Sequence, residues 1–193
     1  MLDLDIFKTK NYLAPQKGRL LISEPLSDDA YFGRSVALIT EYNESGVIGF
    51  VINKKSKFVL SDLIDELKVD FPIYYGGPVQ VNSLHFIHTL GKQLKGSVHL
   101  FGNLYWGGDF NLLKEWIALG LVKEQQIKCF VGYAGWAKQQ LEVELKNHFW
   151  LIAETKDEEV LLADKENIWK DMVQEMGNSY KSWLNVPKDP ALN

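Results

Sequence analysis

The sequence contains few of the residues from which disulfide and anion sites are built. Its 193 residues include one cysteine, Cys129, so no disulfide can form within the chain. Only two of its 21 basic residues are arginines, Arg19 and Arg34. Planar, bidentate recognition of phosphate or carboxylate therefore has few candidates.

Histidine is also scarce, and its spacing disfavours a metal centre. His85 and His88 are three residues apart in a predicted strand, where such residues point to opposite faces. His99 and His148 have no cysteine, aspartate or glutamate at a recognised ligand spacing. We predict structural or surface roles for all four histidines, and we expect neither a metal nor another cofactor.

Long apolar runs and an excess of positive charge are missing as well. The first ten residues contain no apolar stretch of signal-peptide length, and the longest strongly apolar run, residues 47–52, is far too short to span a bilayer. The formal net charge of −4 gives no overall attraction for phosphate backbones. We expect a cytoplasmic protein with no membrane partner, and we do not expect nucleic-acid binding.

Familiar catalytic motifs are absent from the sequence. It contains no Gly-x-Ser-x-Gly elbow, no Walker-type loop, no Gly-x-Gly-x-x-Gly before a helix and no His-Glu-x-x-His. Cys129 lies in the middle of an apolar strand, without the cationic or helix-terminal setting that activates a thiolate. We therefore assign no catalytic residue.

The sequence is rich in hydrophobic and aromatic residues that can build one core. Hydrophobic residues make up 46% of the chain and charged residues 24%, with six Trp, eight Tyr and ten Phe. No linker-like stretch divides the sequence. We predict an N-terminal arm over residues 1–17, a single domain over residues 18–186 and a C-terminal tail over residues 187–193.

The periodicity predicts strands in the first half and interspersed helices in the second. Apolar runs flank residues 43–46, a four-residue hairpin loop. Asp109 and Gly120 are placed to cap the two ends of a helix, and Ser61 and Asp164 are predicted to cap two others. Residues 127–133 read as a strand with Ile127, Cys129, Val131 and Tyr133 on one side. This pattern favours an α+β fold.

Two glycine-rich turns and one arginine are the candidate binding features. Gly76 and Gly77 permit close backbone approach, and the turn from Gly132 to Trp136 leads into a helix whose amino end could hold an anion. Tight turns without a ligand are more common than such sites. Arg34 could face a ligand, but we favour an internal ion pair with a carboxylate such as Asp29.

Several motifs, in order, give the chain a family resemblance. They are residues 18–25, 29–36, 46–53, 76–79 and 132–136, with Gln140-Leu141-Glu142 after the last of them. With these segments the chain resembles the AlgH/YqgE family of bacterial proteins from about residue 18 to residue 177. The resemblance implies a single α+β domain with a mixed, branched or barrel-like β-sheet surrounded by helices. It implies no assigned activity, although some members are labelled transcriptional regulators.

The leading hypothesis is a non-enzymatic ligand- or protein-binding or regulatory domain. The first alternative is an enzyme acting on a small anionic substrate held by Arg34 and the helix after Trp136. The second alternative is a transcriptional regulator. The ligand, the protein partner and the oligomeric state stay open. Six residues are predicted to line a common cleft: Arg34, Asn53, Gly76, Gly77, Tyr133 and Trp136.

Overall fold

The computed structural model describes residues 13–26, 31–161 and 167–187. Its ten strands are β1 Leu20–Ser23, β2 Val36–Asn43, β3 Gly46–Val51, β4 Lys55–Val59, β5 Pro72–Tyr75, β6 Val79–His88, β7 Val98–Phe101, β8 Leu104–Trp106, β9 Ile127–Trp136 and β10 Trp150–Ala153. Its six α-helices are α1 Leu60–Leu63, α2 Phe110–Ala118, α3 Lys138–Lys146, α4 Asp157–Leu161, α5 Ile168–Glu175 and α6 Lys181–Leu184.

The strands form a mixed sheet that branches at β9. The main path runs β10-β1-β2-β3-β9-β6-β8-β7. The first part of β9 pairs in parallel with β5, and its last three residues pair antiparallel with β3. The sheet curves without closing, because its end strands β10 and β7 are not paired with each other. Lys17 Nζ donates to the His99 carbonyl at 3.0 Å and connects the residues before β1 to β7. The α+β class and the branched sheet expected from the resemblance are confirmed.

The hairpin between β2 and β3 forms where the sequence predicts it. The Oδ1 atom of Asn43 accepts a hydrogen bond from the Ser45 N–H at 2.8 Å, which closes the turn over its own side chain. Gly46 has a φ of 146°, a conformation that other residues rarely adopt. Both strands are largely buried.

One glycine overturns the predicted alternation along β9. Ile127, Cys129 and Val131 share a face as expected, but Tyr133 packs against the opposite face with the concave core. Gly132 has a φ of 68°, which interrupts the extended backbone, and the side-chain direction is reversed after it. The prediction for Tyr133 was therefore wrong, because a period of two assumes regular extended backbone.

Three apolar clusters fix the sheet between its helices. Helices α5 and α6 cover the concave face, α3 covers one part of the outer face, and α1 and α2 cover the other. The last long helix, α5, turns one apolar side to the sheet, where Ile168, Trp169, Met172 and Val173 are buried. The helices therefore cover large parts of both faces of the sheet.

Helix capping is partly as predicted. The Asp109 carboxylate accepts from the N–H groups of Asn111 and Leu112 at 3.0 and 3.2 Å, and Gly120 has a φ of 70°. Helix α1 begins before the predicted cap, because Asp62 reaches back to the Val59 N–H at 2.9 Å.

Some predicted features lie outside the described residues. These are residues 1–12 of the predicted arm, the cap at Asp164 and the predicted tail after residue 187. The domain boundaries stay a prediction. In the part of the chain that the structure describes, no helix is long and apolar enough to cross a membrane.

Candidate functional site

A cavity of about 350 Å³ lies between the β2–β3 hairpin and the turn that joins β9 to α3. We call it the hairpin–turn cavity. Its size is within the usual range of small-molecule pockets. It is lined by Glu41, Asn43, Ser45, Gly46, Val47, Ile48, Val79, Tyr133, Gly135, Trp136 and Ala137.

Strand pairing determines the shape of this cavity. Val47 lies opposite Trp136 and Ile48 opposite Gly135, so the hairpin is bound directly to the turn. A Cβ on Gly46 would lie 2.7 Å from the Trp136 carbonyl oxygen, which leaves no room for a side chain. The glycine therefore allows the hairpin to approach the turn closely.

The Trp136 indole is held in place by a carboxylate. Glu144 Oε2 accepts hydrogen bonds from Trp136 Nε1 at 2.9 Å and from Trp150 Nε1 at 2.7 Å. Gln140 Nε2 donates to the other oxygen of Glu144 at 2.8 Å. Phe32 packs on both indoles, with ring centroids 6.0 Å and 5.4 Å away. This network explains why a tryptophan and a helix rich in glutamine and glutamate occur together in the sequence.

The amino end of α3 forms one wall of the cavity. Gln140 Oε1 accepts from the Ala137 N–H at 3.2 Å, and no side chain of Ala137 itself can cap the helix. On the facing hairpin, the carboxylate of Glu41 accepts a hydrogen bond from the Asn43 amide. The cavity therefore combines aromatic and aliphatic walls with polar groups at its hairpin side.

Gly76 and Gly77 serve close backbone packing. A Cβ on Gly76 would meet the Gly132 carbonyl oxygen, and one on Gly77 would meet the backbone of Tyr133 and Ala134, both in hard contact. Gly77 also has a φ of 152°. The two glycines thus allow the chain between β5 and β6 to lie directly on β9.

Arg34 and Asn53 contact each other at the start of β2. Asn53 Oδ1 accepts from the Val36 N–H at 2.9 Å, and its Nδ2 donates to the Arg34 carbonyl at 3.0 Å. The Arg34 guanidinium donates to the Val186 carbonyl and lies 5.0 Å from the Trp169 ring centroid. Arg34 therefore anchors the C-terminal helices, and its proposed partner Asp29 lies outside the described residues.

The structure divides the six predicted cleft residues into groups. Tyr133 and Trp136 line the hairpin–turn cavity, although their side chains belong to opposite faces of the sheet. Arg34, Asn53, Gly76 and Gly77 are not part of its wall. Arg34 and the amino end of α3, which one alternative predicted to hold an anion together, therefore do not meet at this cavity. A ligand role for the six residues stays a prediction.

His88 and Cys129, which the sequence also offered as reactive side chains, are buried in structural contacts. His88 is fully buried; its Nε2 contacts the Gly107 carbonyl at 2.9 Å and its Nδ1 accepts from the Leu90 N–H at 3.1 Å. These partners identify a neutral ring, in keeping with burial, which lowers the pKa of His88. Burial raises the pKa of the Cys129 thiol to about 12. Among the described residues, no three His, Cys, Asp or Glu side chains form a group that could hold a metal.

Two parts of the site could not be recognised from the sequence. The role of Glu144 as the acceptor for two indole N–H groups was not predicted, although Glu144 follows Trp136 by only eight residues. Glu41, Asn43 and Ser45 were placed in the hairpin but not in a binding site, because nothing local indicates that the hairpin packs on the β9–α3 turn.

Sequence comparison finds relatives over nearly the whole chain. A UPF0301 protein of Parabacteroides distasonis is 43% identical over 193 residues, which covers 98% of this chain and 98% of the relative. A UPF0301 protein of Cytophaga hutchinsonii is 41% identical over 179 residues, covering 92% and 98%.

Solved structures show the same fold. The protein DIP2367 from Corynebacterium diphtheriae superposes with a TM-score of 0.75 at 22% identity, covering 95% of this chain and 98% of that one. The AlgH protein from Pseudomonas aeruginosa superposes with a TM-score of 0.70 at 28% identity, covering 92% and 98%. A family model described as AlgH-like matches residues 20–181. The chain belongs to the AlgH-like family.

Proposed function

We propose that this protein is a non-enzymatic cytoplasmic binding domain whose small ligand, or a short segment of a protein partner, occupies the hairpin–turn cavity. The observation that carries the proposal is the meeting of Tyr133 and Trp136 with the β2–β3 hairpin around one open cavity of about 350 Å³. These two aromatic residues belong to the turn that is most characteristic of the sequence.

The rigidity of the cavity supports binding. Trp136 is fixed by Glu144 and packed against Phe32 and Trp150, so its ring loses little further freedom when a ligand arrives. Preorganised walls of this kind reduce the entropic cost of association. Glu41 and Asn43 supply polar groups that can orient a bound molecule.

The positions of the reactive groups favour binding over catalysis. Cys129 is buried with a raised pKa, His88 is engaged by its neighbours, and Arg34 is bound to the C-terminal helices. None of these three side chains lines the hairpin–turn cavity. A nucleophile, a general base and an anion-binding cation are therefore not assembled there from these residues.

A thermal-shift screen with a blocked variant tests the proposal. The exposed Ser45 lines the cavity, and Ser45→Trp fills it; Gln125→Trp places the same side chain at an exposed position outside the cavity wall. Nucleotides, phosphorylated metabolites, divalent metals and short peptides are the panel. A compound at a hundred times its dissociation constant should stabilise the protein by about 2.7 kcal/mol.

We expect at least one compound to stabilise the wild type and Gln125→Trp but not Ser45→Trp. Equal stabilisation of all three proteins would place the site elsewhere and contradict the proposal. Recovery of the bound compound unchanged, measured by mass spectrometry, is expected of a binding domain. Protein-dependent conversion of the compound would overturn the non-enzymatic part.

A further inference from the structure

A second cavity of about 350 Å³ lies at the edge of β6, outside the hairpin–turn cavity. We call it the β6-edge cavity. Its lining is uncharged in composition and rich in aromatic rings, and His85 is its one titratable member. It is lined by Leu84, His85, Phe86, Trp106, Gly107, Gly108 and Phe110.

The cavity exists because β8 is shorter than β6. Strand β8 pairs with β6 only at Ile87 and His88, and the last contact is from the Gly107 N–H to the Phe86 carbonyl at 3.0 Å. Gly107 and Gly108, with φ of 68° and 122°, then turn the chain away. The edge of β6 at Leu84 is therefore left without a neighbouring strand among the described residues.

The backbone N–H and C=O groups that face this edge can be identified from the strand pairing. Because the Phe86 carbonyl points towards β8, the period of two along a strand directs the N–H and C=O of Leu84 to the same edge. Strand β9 pairs with the opposite edge of β6. The cavity floor thus offers one hydrogen-bond donor and one acceptor, side by side, from a single residue.

Aromatic rings flank that edge on both faces of the sheet. Trp106 packs with Phe50 on the concave side, with ring centroids 5.9 Å apart. Phe110 packs with Phe86 on the outer side, 6.1 Å apart. A flat molecule that pairs with the strand edge would contact aromatic surface on both sides.

His85 adds a neutral polar group to the wall. Its ring packs against Phe50 and Tyr133, and its Nε2 atom is buried without a hydrogen-bond partner among the described residues. Burial lowers the pKa of His85, so the ring is uncharged at neutral pH. An ion has no counter-charge in this lining, and the cavity therefore favours a neutral ligand.

We propose that the β6-edge cavity binds a small, planar, uncharged heterocycle in which a ring N–H is adjacent to a ring C=O. This cyclic amide edge, found in lactams and in several nucleobases, pairs its donor with the Leu84 carbonyl and its acceptor with the Leu84 N–H. The aromatic rings of Trp106 and Phe110 enclose its two faces.

The test uses 2-pyridone as the probe and 1-methyl-2-pyridone as its matched control, since the methyl group replaces the ring N–H and keeps the planar ring and its C=O. Binding is followed by amide chemical shifts in protein labelled with ¹⁵N-leucine. We expect 2-pyridone to move the Leu84 amide resonance and to bind at least tenfold more tightly than the methylated compound, as the loss of a hydrogen bond predicts. Equal affinities, or an unmoved Leu84 resonance at the solubility limit, would overturn the proposal.

Variants test the aromatic walls. Trp106→Leu and Phe110→Leu should each weaken 2-pyridone binding at least fivefold, whereas Phe149→Leu, at an exposed phenylalanine outside the cavity, should leave it unchanged. Unchanged binding by both wall variants would contradict the proposed site. If a wall variant fails to fold, the comparison of the two pyridones on the wild-type protein decides.

Discussion

The indole Nε1 of Trp136 donates a hydrogen bond of 2.9 Å to Glu144 Oε2, which connects the end of β9 to the last turn of α3. Trp150 donates to the same oxygen at 2.7 Å. Both indoles are almost fully buried, at 4% and 3% exposure. Without the carboxylate, two buried donors would have no acceptor.

We therefore expect Glu144→Ala to lower the free energy of unfolding by about 2 to 4 kcal/mol, since an unsatisfied buried donor costs about 1 to 3 kcal/mol. Urea denaturation measures the change. Glu142→Ala is the matched control, because Glu142 is exposed on the same helix and should cost less than about 0.5 kcal/mol. Equal effects of the two substitutions would show that the indole contacts contribute nothing measurable.

Arg34 is expected to hold the C-terminal helices on the concave face. Arg34→Ala removes the donor to the Val186 carbonyl and the cation over Trp169, and should reduce stability by about 1 to 2 kcal/mol. Hydrogen exchange should increase first in α5 and α6. Lys181→Ala, at an exposed position on α6, is the control. Unchanged exchange in both helices would contradict an anchoring role.

Gly76 should tolerate no side chain. Gly76→Ala drives a Cβ into the Gly132 carbonyl oxygen and is expected to cost about 3 kcal/mol, since overpacking against backbone forces the strands apart. Gly91→Ala is the control, because its Cβ would meet open space and only its φ of 72° is unfavourable, at about 1 kcal/mol. Thermal or urea melts that give equal losses would disprove the close packing.

His88 should make stability fall as the solution is acidified. Its pKa in the folded protein lies below 6.5, the ordinary value, because burial disfavours the charged ring. Above pH 6.5 both states are neutral and His88 has no effect. Below it the unfolded chain takes up a proton that the folded chain resists, so stability falls by up to about 1.4 kcal/mol per pH unit until the folded pKa is reached.

Urea melts between pH 7.5 and 5.5 measure this slope. His88→Asn keeps an acceptor for the Leu90 N–H but cannot titrate, and its profile should be flatter than that of the wild type. The difference between the two proteins removes the contribution of His85, whose pKa is also lowered by burial. Parallel profiles for wild type and His88→Asn would rule out the effect.

Local features were accessible from the sequence. The cap at Asp109, the hairpin turn at residues 43–46 and the opposite faces of His85 and His88 each depend on a few neighbouring residues, and all appear in the structure. The branched sheet was expected only from the family resemblance, since no period in the sequence indicates that β9 changes its partner from β5 to β3.

Contacts between distant residues were not accessible. Arg34 and Val186 are 152 positions apart, so a local search for a partner could only suggest a nearby carboxylate such as Asp29. The hairpin–turn cavity likewise depends on the pairing of β3 with β9, which brings Ser45 and Trp136 together across about ninety residues of chain. The interrupted backbone at Gly132 could not be predicted even locally, because a glycine gives no sign of whether its φ will be positive.

The most direct test of the central claim maps where a bound compound acts. Uniformly ¹⁵N-labelled protein is titrated with a compound that stabilises it in the thermal-shift screen. The account predicts that the largest amide shift changes fall in residues 43–48 and 135–137, which surround the hairpin–turn cavity. Shift changes confined to α2 or to the C-terminal helices, with the hairpin unmoved, would contradict it.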